Sequence, residues 1–144
     1  MPDDRPVLRR HRIVVAARAL VAADGAEALS LRRLADRLDV SPAALYAHVR
    51  DKDDLLRAVA EAEQDDLEER LDGLSPRAVA LARLDAAEAA PALHRLVATL
   101  APTPTGVDDI GLAVRRLVDG LAAADDPPER RRAALLAALD AMGL

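Results

Sequence analysis

Apolar residues recur every three or four positions along most of the chain, and the breaks in that rhythm fall on glycine, proline and short polar turns. Ile13, Ala16, Ala17, Leu20 and Val21 form a first stripe. It predicts a helix from near Val7 to just before Gly25, which fits the left-handed position that ends many helices. Leu31, Leu34, Ala35 and Leu38 form a second stripe, and Ser30 stands where a hydroxyl can cap its first turn. That helix should stop near Asp39-Val40. Ser41-Pro42 then restarts the chain, because proline at the first helical position loses only an N–H that has no helical partner. Ala44, Leu45 and the pair His48-Val49 face back toward the preceding helix.

After Arg50 the pattern lengthens. Asp51 caps a helix whose first turn holds Asp53 and Asp54, where negative charge suits the helix dipole. Leu55, Leu56, Val59, Ala62, Leu67 and Leu71 carry its stripe toward Gly73. Ser75-Pro76 opens a helix to Ala90, Pro91 breaks it, and a shorter helix runs to about Leu100. The segment APTPTG at 101–106 reads as a linker. A helix over Val107–Ala123 bears Ile110, Val114, Leu117, Val118 and Leu121, with Gly111 and Gly120 open to close approach of another helix. Asp125-Asp126-Pro127-Pro128 turns into a last helix with Leu135, Leu136, Leu139 and Met142. No internal repeat is visible. The expectation is an all-α fold in 144 residues: a three-helix headpiece over 1–52 and a small helical body over 53–144.

Composition narrows the chemistry. Tyr46 is the only aromatic residue, so the core must be built from small aliphatic side chains. The absence of cysteine excludes disulfides, thiolate zinc sites and cysteine nucleophiles. No apolar run approaches membrane-spanning length and the first residues lack a signal-peptide core, so no membrane partner and a cytoplasmic location are expected. The net charge of −5 divides unevenly. Residues 1–52 hold ten Lys/Arg against seven Asp/Glu, net +3, whereas residues 53–144 hold ten against eighteen, net −8. A basic headpiece can approach phosphates; an acidic body cannot.

The segment Ser30–Lys52 therefore carries the functional reading. Two short helices meeting at a short turn match a helix-turn-helix, which places its second helix in the DNA major groove. A plain helical hairpin buries a similar pattern, so the residues of the second helix have to decide. The string LSLRRLADRLDVSPAALYAHVRDKDDLL resembles the TetR family of transcriptional repressors in its leucine spacing, its Leu45-Tyr46 and His48-Val49 pairs, and Lys52 opening the next helix. The resemblance spans roughly residues 9–60, and its Ala-Leu-Tyr-x-His-Val core is closest to the tetracycline-repressor branch.

The resemblance implies a repressor that binds double-stranded operator DNA as a homodimer, pairing through residues 107–142, with a small-molecule effector acting on the body at unknown residues. It implies DNA-binding roles for Arg32, Ser41, Pro42, Ala43, Ala44, Tyr46, His48 and Lys52. Arg32 takes the position that reads a guanine edge, and its guanidinium can bond O6 and N7 together. Pro42, Ala43 and Ala44 open the recognition helix and offer only apolar contacts, such as thymine methyls. Tyr46, His48 and Lys52 match phosphate-contacting positions, which set affinity and its salt dependence. Asp39 departs from the glycine common in the turn, and the body is shorter than is usual in the family.

Plainer roles stand beside these. Tyr46 can fill the headpiece core, His48 can be a surface residue, and Arg32-Arg33 can be a solvated face. His94 in the body fits a half-buried or solvent-facing residue better than a ligand. Arg130–Arg132 and the acidic run Asp65-Asp66 with Glu68-Glu69 fit solvated faces. A protein-interaction regulator that keeps the headpiece but lacks an effector pocket is the alternative function. An enzyme is not expected, nor any cofactor or catalytic or metal site, because no nucleophile–base pair, metal-ligand spacing or phosphate loop is visible.

Overall fold

Five helices start the same way: a serine or aspartate side chain accepts a hydrogen bond from the backbone N–H three residues ahead. The pairs are Ser30 with Arg33 (3.1 Å), Ser41 with Ala44 (3.2 Å), Asp51 with Asp54 (2.7 Å), Ser75 with Ala78 (3.3 Å) and Asp108 with Gly111 (2.7 Å). Each satisfies one of the orphan donors of a helix N-terminus. The computed structural model describes residues 9–102 and 107–144. Among these the helices are α1 (Arg10–Asp24), α2 (Leu31–Leu38), α3 (Pro42–Tyr46), α4 (Lys52–Leu71), α5 (Pro76–Ala89), α6 (Pro91–Leu100), α7 (Asp109–Ala123) and α8 (Pro128–Met142), with no strand.

The all-α architecture of a helix-turn-helix headpiece followed by a helical C-terminal domain stands as expected. The start placed near Val7 and most of the 101–106 linker lie outside the described residues. α7 starts at Asp109, two residues later than its apolar stripe suggests, because the Asp108 carboxylate captures the Gly111 N–H. The α2–α3 turn closes on Asp39, whose φ of 54° lies in the left-handed region usually left to glycine.

Two apolar cores result. The first gathers Ile13, Ala17, Leu20 and Val21 of α1, Leu34 and Ala35 of α2, Leu45 of α3, Val49, and Leu55, Leu56, Val59 and Ala60 of α4. It does not stop with the first four helices: Leu93 and Leu96 of α6 are buried in it too. Leu38, expected inside from its stripe, and Val40 are half-buried at its rim. The second core joins Ala80 and Leu84 of α5, Val114 and Val118 of α7, and Leu135 and Leu139 of α8. Gly120 has open space where a side chain would be, so neither core brings a helix against it. An added Cβ at Gly111 meets Val107 Cγ1, two residues before α7 begins, rather than another helix.

Between the cores lies a polar layer. Buried Gln64 of α4 donates to the Pro102 carbonyl (3.0 Å) and accepts from Arg115 of α7 (3.2 Å). Glu68 of α4 pairs with Arg83 of α5 at 2.6 Å. A buried amide and a shielded cation are tolerable here because both have partners.

Candidate nucleic-acid interface

The α2–α3 unit is assembled from local chemistry. Leu34, Ala35 and Leu45 are fully buried and fix the two helices on α1 and α4, which turns the remaining positions outward. Arg32, Ser41, Pro42 and Ala43 are exposed. Tyr46 is 58% exposed, which removes it from the core and leaves its ring and hydroxyl to solvent. Ala44 and His48 are half-buried. Ser41, Pro42, Ala43, Ala44, Tyr46 and His48 thus lie on or beside α3, and Arg32 lies on α2.

Their electrostatic states differ. Arg33 pairs with Asp24 at the end of α1 at 2.5 Å, which ties α2 to α1. Arg32 has no ion-pair or hydrogen-bond partner among the described residues, so its guanidinium fork is uncommitted. Ser41 Oγ is occupied as an acceptor by its capping role, and its hydroxyl proton remains available for donation. Lys52 is half-buried and its Nζ donates to the Glu27 carbonyl at 3.1 Å, so only its other N–H donors can face outward.

A second layer lies behind this face, and the sequence reading missed it. Arg10 Nη1 donates to the His48 carbonyl (2.5 Å) just beyond α3, and both Arg10 terminal nitrogens reach the Asp54 carboxylate at 3.3 and 3.2 Å. Asp54 also accepts the Arg50 N–H at 3.0 Å. The Arg10 hydrogen bond foremost, then the Arg50 N–H, holds the Asp54 pKa down at about 2, below the usual 3.8. Asp54's place three residues after its cap was a usable signal for the Arg50 contact. Nothing in the sequence pairs it with Arg10.

Elsewhere, His94 of α6 is half-buried beside Asp119 of α7 at 3.4 Å; burial pushes its pKa below the ordinary value, against the opposing pull of Asp119. Arg130 and Arg132 are exposed as expected, whereas Arg131 is half-buried against Glu88 at 3.4 Å. In the acidic run, Asp66 is engaged by Arg18. No group of three or more His, Asp or Glu that could hold a metal ion occurs among the described residues, and no helix there is long and apolar enough to cross a membrane.

Comparison with known proteins points at the same stretch. The family profile described as bacterial regulatory proteins, tetR family, matches residues 13–59. An HTH-type transcriptional regulator from Saccharopolyspora erythraea is 45% identical over 58 residues, which is 40% of this chain but only 25% of that protein. The chain thus matches about a quarter of the length of that curated relative. Among solved structures, a transcriptional regulator from Streptomyces coelicolor, described as a TetR, is 32% identical with a TM-score of 0.62, over 80% of this chain and 69% of that one. TetR from Acinetobacter baumannii AYE is 29% identical with a TM-score of 0.57, over 90% and 69%. A variant of the latter, in complex with minocycline, shares the fold with a TM-score of 0.68 at 24% identity, over 93% of each chain.

Proposed function

The chain belongs to the TetR family of bacterial regulatory proteins, and from that premise we propose that it is a transcriptional repressor binding a palindromic operator as a homodimer. The observation that carries the reading is the exposed, unpartnered Arg32 on α2 next to a recognition helix that begins with Pro42 and Ala43. Arg32 bonds a guanine through O6 and N7. Pro42, Ala43 and Ala44 pack on base edges, and thymine methyls suit them. Ser41 donates its free hydroxyl proton to the backbone, while Tyr46, His48 and Lys52 take phosphates and set the register.

The dimer forms through α7 and α8, residues 107–142. Ile110 and Met142 are 46% and 43% exposed, and Ala113, Gly120, Ala134, Ala137 and Ala141 are exposed small residues beside which a second pair of helices can pack closely. Two-fold pairing presents two headpieces to half-sites about 34–36 Å apart, or a multiple of that spacing. The domain boundary we assign is functional: residues 1–52 contact DNA, and 53–144 pair the subunits and host an effector.

Release by a small molecule completes the proposal. A cleft of about 520 Å³ between α4, α5 and α7 is lined by Glu68, Leu71, Val79 and Arg83 and falls in the size range of ligand sites. A ligand that prefers one headpiece spacing over another shifts operator affinity by the difference in its two affinities.

Selection of bound duplexes from a random DNA pool tests the reading. The expected result is one palindromic sequence with fixed half-site spacing. No enrichment over the starting pool would contradict it.

A further inference from the structure

Helix α3 is five residues long, too short to hold its own orientation by backbone hydrogen bonding. Leu45 and Val49 anchor it on the apolar side. The polar side is held by one assembly. Arg10, from the first turn of α1, donates Nη1 to the His48 carbonyl at 2.5 Å, and its two terminal nitrogens grip the two oxygens of Asp54 at 3.3 and 3.2 Å. Asp54 in turn accepts the Arg50 N–H at 3.0 Å, and the Arg50 guanidinium lies 3.6 Å away. One guanidinium and one carboxylate therefore join the start of α1, the end of the recognition helix and the first turn of α4. The Arg10 side chain is 47% exposed and that of Asp54 only 14%. The carboxylate is the sheltered hub and the arginine the strap across it.

We propose that Arg10 and Asp54 are positioning residues for operator recognition: their ion pair holds the C-terminal end of α3 against α1 and α4 and so sets how the recognition helix meets DNA. The proposal rests on the DNA-binding reading above. It also gives a half-exposed arginine near the interface a role other than touching phosphate. A two-oxygen fork fixes direction as well as distance, which a lysine ammonium at the same place does not.

The charge of Asp54 makes the two roles separable. A carboxylate close to DNA repels phosphates, so Asp54→Asn should strengthen binding if electrostatics alone mattered. A positioning role predicts the opposite sign.

The experiment uses the full chain with the duplex selected by the wild-type protein, and the variants Arg10→Ala, Arg10→Lys, Asp54→Asn and the double Arg10→Ala/Asp54→Asn. Affinity is measured against salt for the selected duplex and for an unrelated one, and amide hydrogen exchange is followed over residues 45–50 of the free protein. The expected result is a loss of about five- to tenfold in selected-duplex affinity for each single variant, the scale of one ordinary hydrogen bond. The double variant should be no worse than either single one. The salt slope should stay at the wild-type value, exchange over 45–50 should accelerate in all four variants, and Arg10→Lys should not rescue.

Three results would overturn the proposal: a salt slope reduced by about one in Arg10→Ala with Arg10→Lys restoring affinity, which marks a phosphate contact; stronger binding by Asp54→Asn; or exchange unchanged in every variant. Should the wild-type protein select no duplex, the DNA-binding reading fails. The exchange measurement then decides the strap by itself, faster exchange supporting it and unchanged exchange sinking it.

Discussion

The two apolar cores are built from the same leucines, valines and alanines, yet their surroundings differ in what they do with charge and with leftover apolar surface. Around the first, ion pairs stitch helix to helix, as in Arg33–Asp24 and Arg10–Asp54, while Arg32 and Arg37 keep no acidic partner among the described residues. Around the second, α8 is latched to α5 by Arg77–Asp140, Arg131–Glu88 and Arg132–Asp85, which neutralises most of its basic residues. The second region also leaves apolar surface uncovered: Ile110, Met142 and the alanines of α8. On the function proposed above, the first region's spare positive charge serves phosphates and bases, and the second region's spare apolar surface serves a second copy of the chain. The division of labour rests on what each core leaves uncovered.

The largest expected effect lies in the cores themselves. Leu34→Ala, at a site with no exposure in the first core, should lower stability by about 2–5 kcal/mol in denaturant titration, because it removes buried methyl groups and leaves a cavity. Leu139→Ala should do the same from the second core. If only the first costs this much, the second core does not support the fold of the free chain as described.

Next in size, Ala137→Glu places a charge on the exposed α8 face without touching either core. Light scattering should then report half the wild-type mass, and affinity for the full palindrome should fall while a single half-site binds as before. An unchanged mass would separate dimerisation from this face.

The Asp54 carboxylate gives a pH test. Its folded pKa is held at about 2, below the ordinary 3.8, so the unfolded chain takes up this proton first as pH falls. The contribution is complete above the ordinary value and is lost as pH drops from near 4 toward 2. Asp54→Asn should flatten that part of the acid-unfolding curve, leaving stability at pH 7 lower and the acid limb shallower. A limb identical to wild type would show that the carboxylate carries no such linkage.

A smaller effect is expected at Lys52. Because its Nζ already serves the Glu27 carbonyl, Lys52→Ala should weaken binding evenly across DNA sequences and reduce the salt slope by about one. A change confined to one base position would instead make it a base reader.

What could be read from the chain alone follows the range of the interactions. Caps at Ser30, Ser41, Asp51 and Ser75 were legible because each joins residues three apart. So were the left-handed Asp39 turn and the break at Pro91. The docking of α6 into the first core was not, since Leu93 and Leu96 show only an amphipathic stripe and nothing in it names the partner surface. The same holds for Arg10 and Asp54, which are 44 positions apart. Tyr46 was undecided between core and surface because one aromatic among aliphatics suits either; only the depth of Leu45 and Val49 turns it outward.

The central claim is that base reading rests on Arg32 of α2 rather than on the apolar opening of α3. Binding of Arg32→Ala should be measured on the selected operator and on its single-base variants. The variant should lose about 1–3 kcal/mol on the operator and no longer distinguish bases at one position per half-site, with the other positions unchanged. An Arg32→Ala protein with the wild-type affinity and the wild-type pattern of base preference would contradict it.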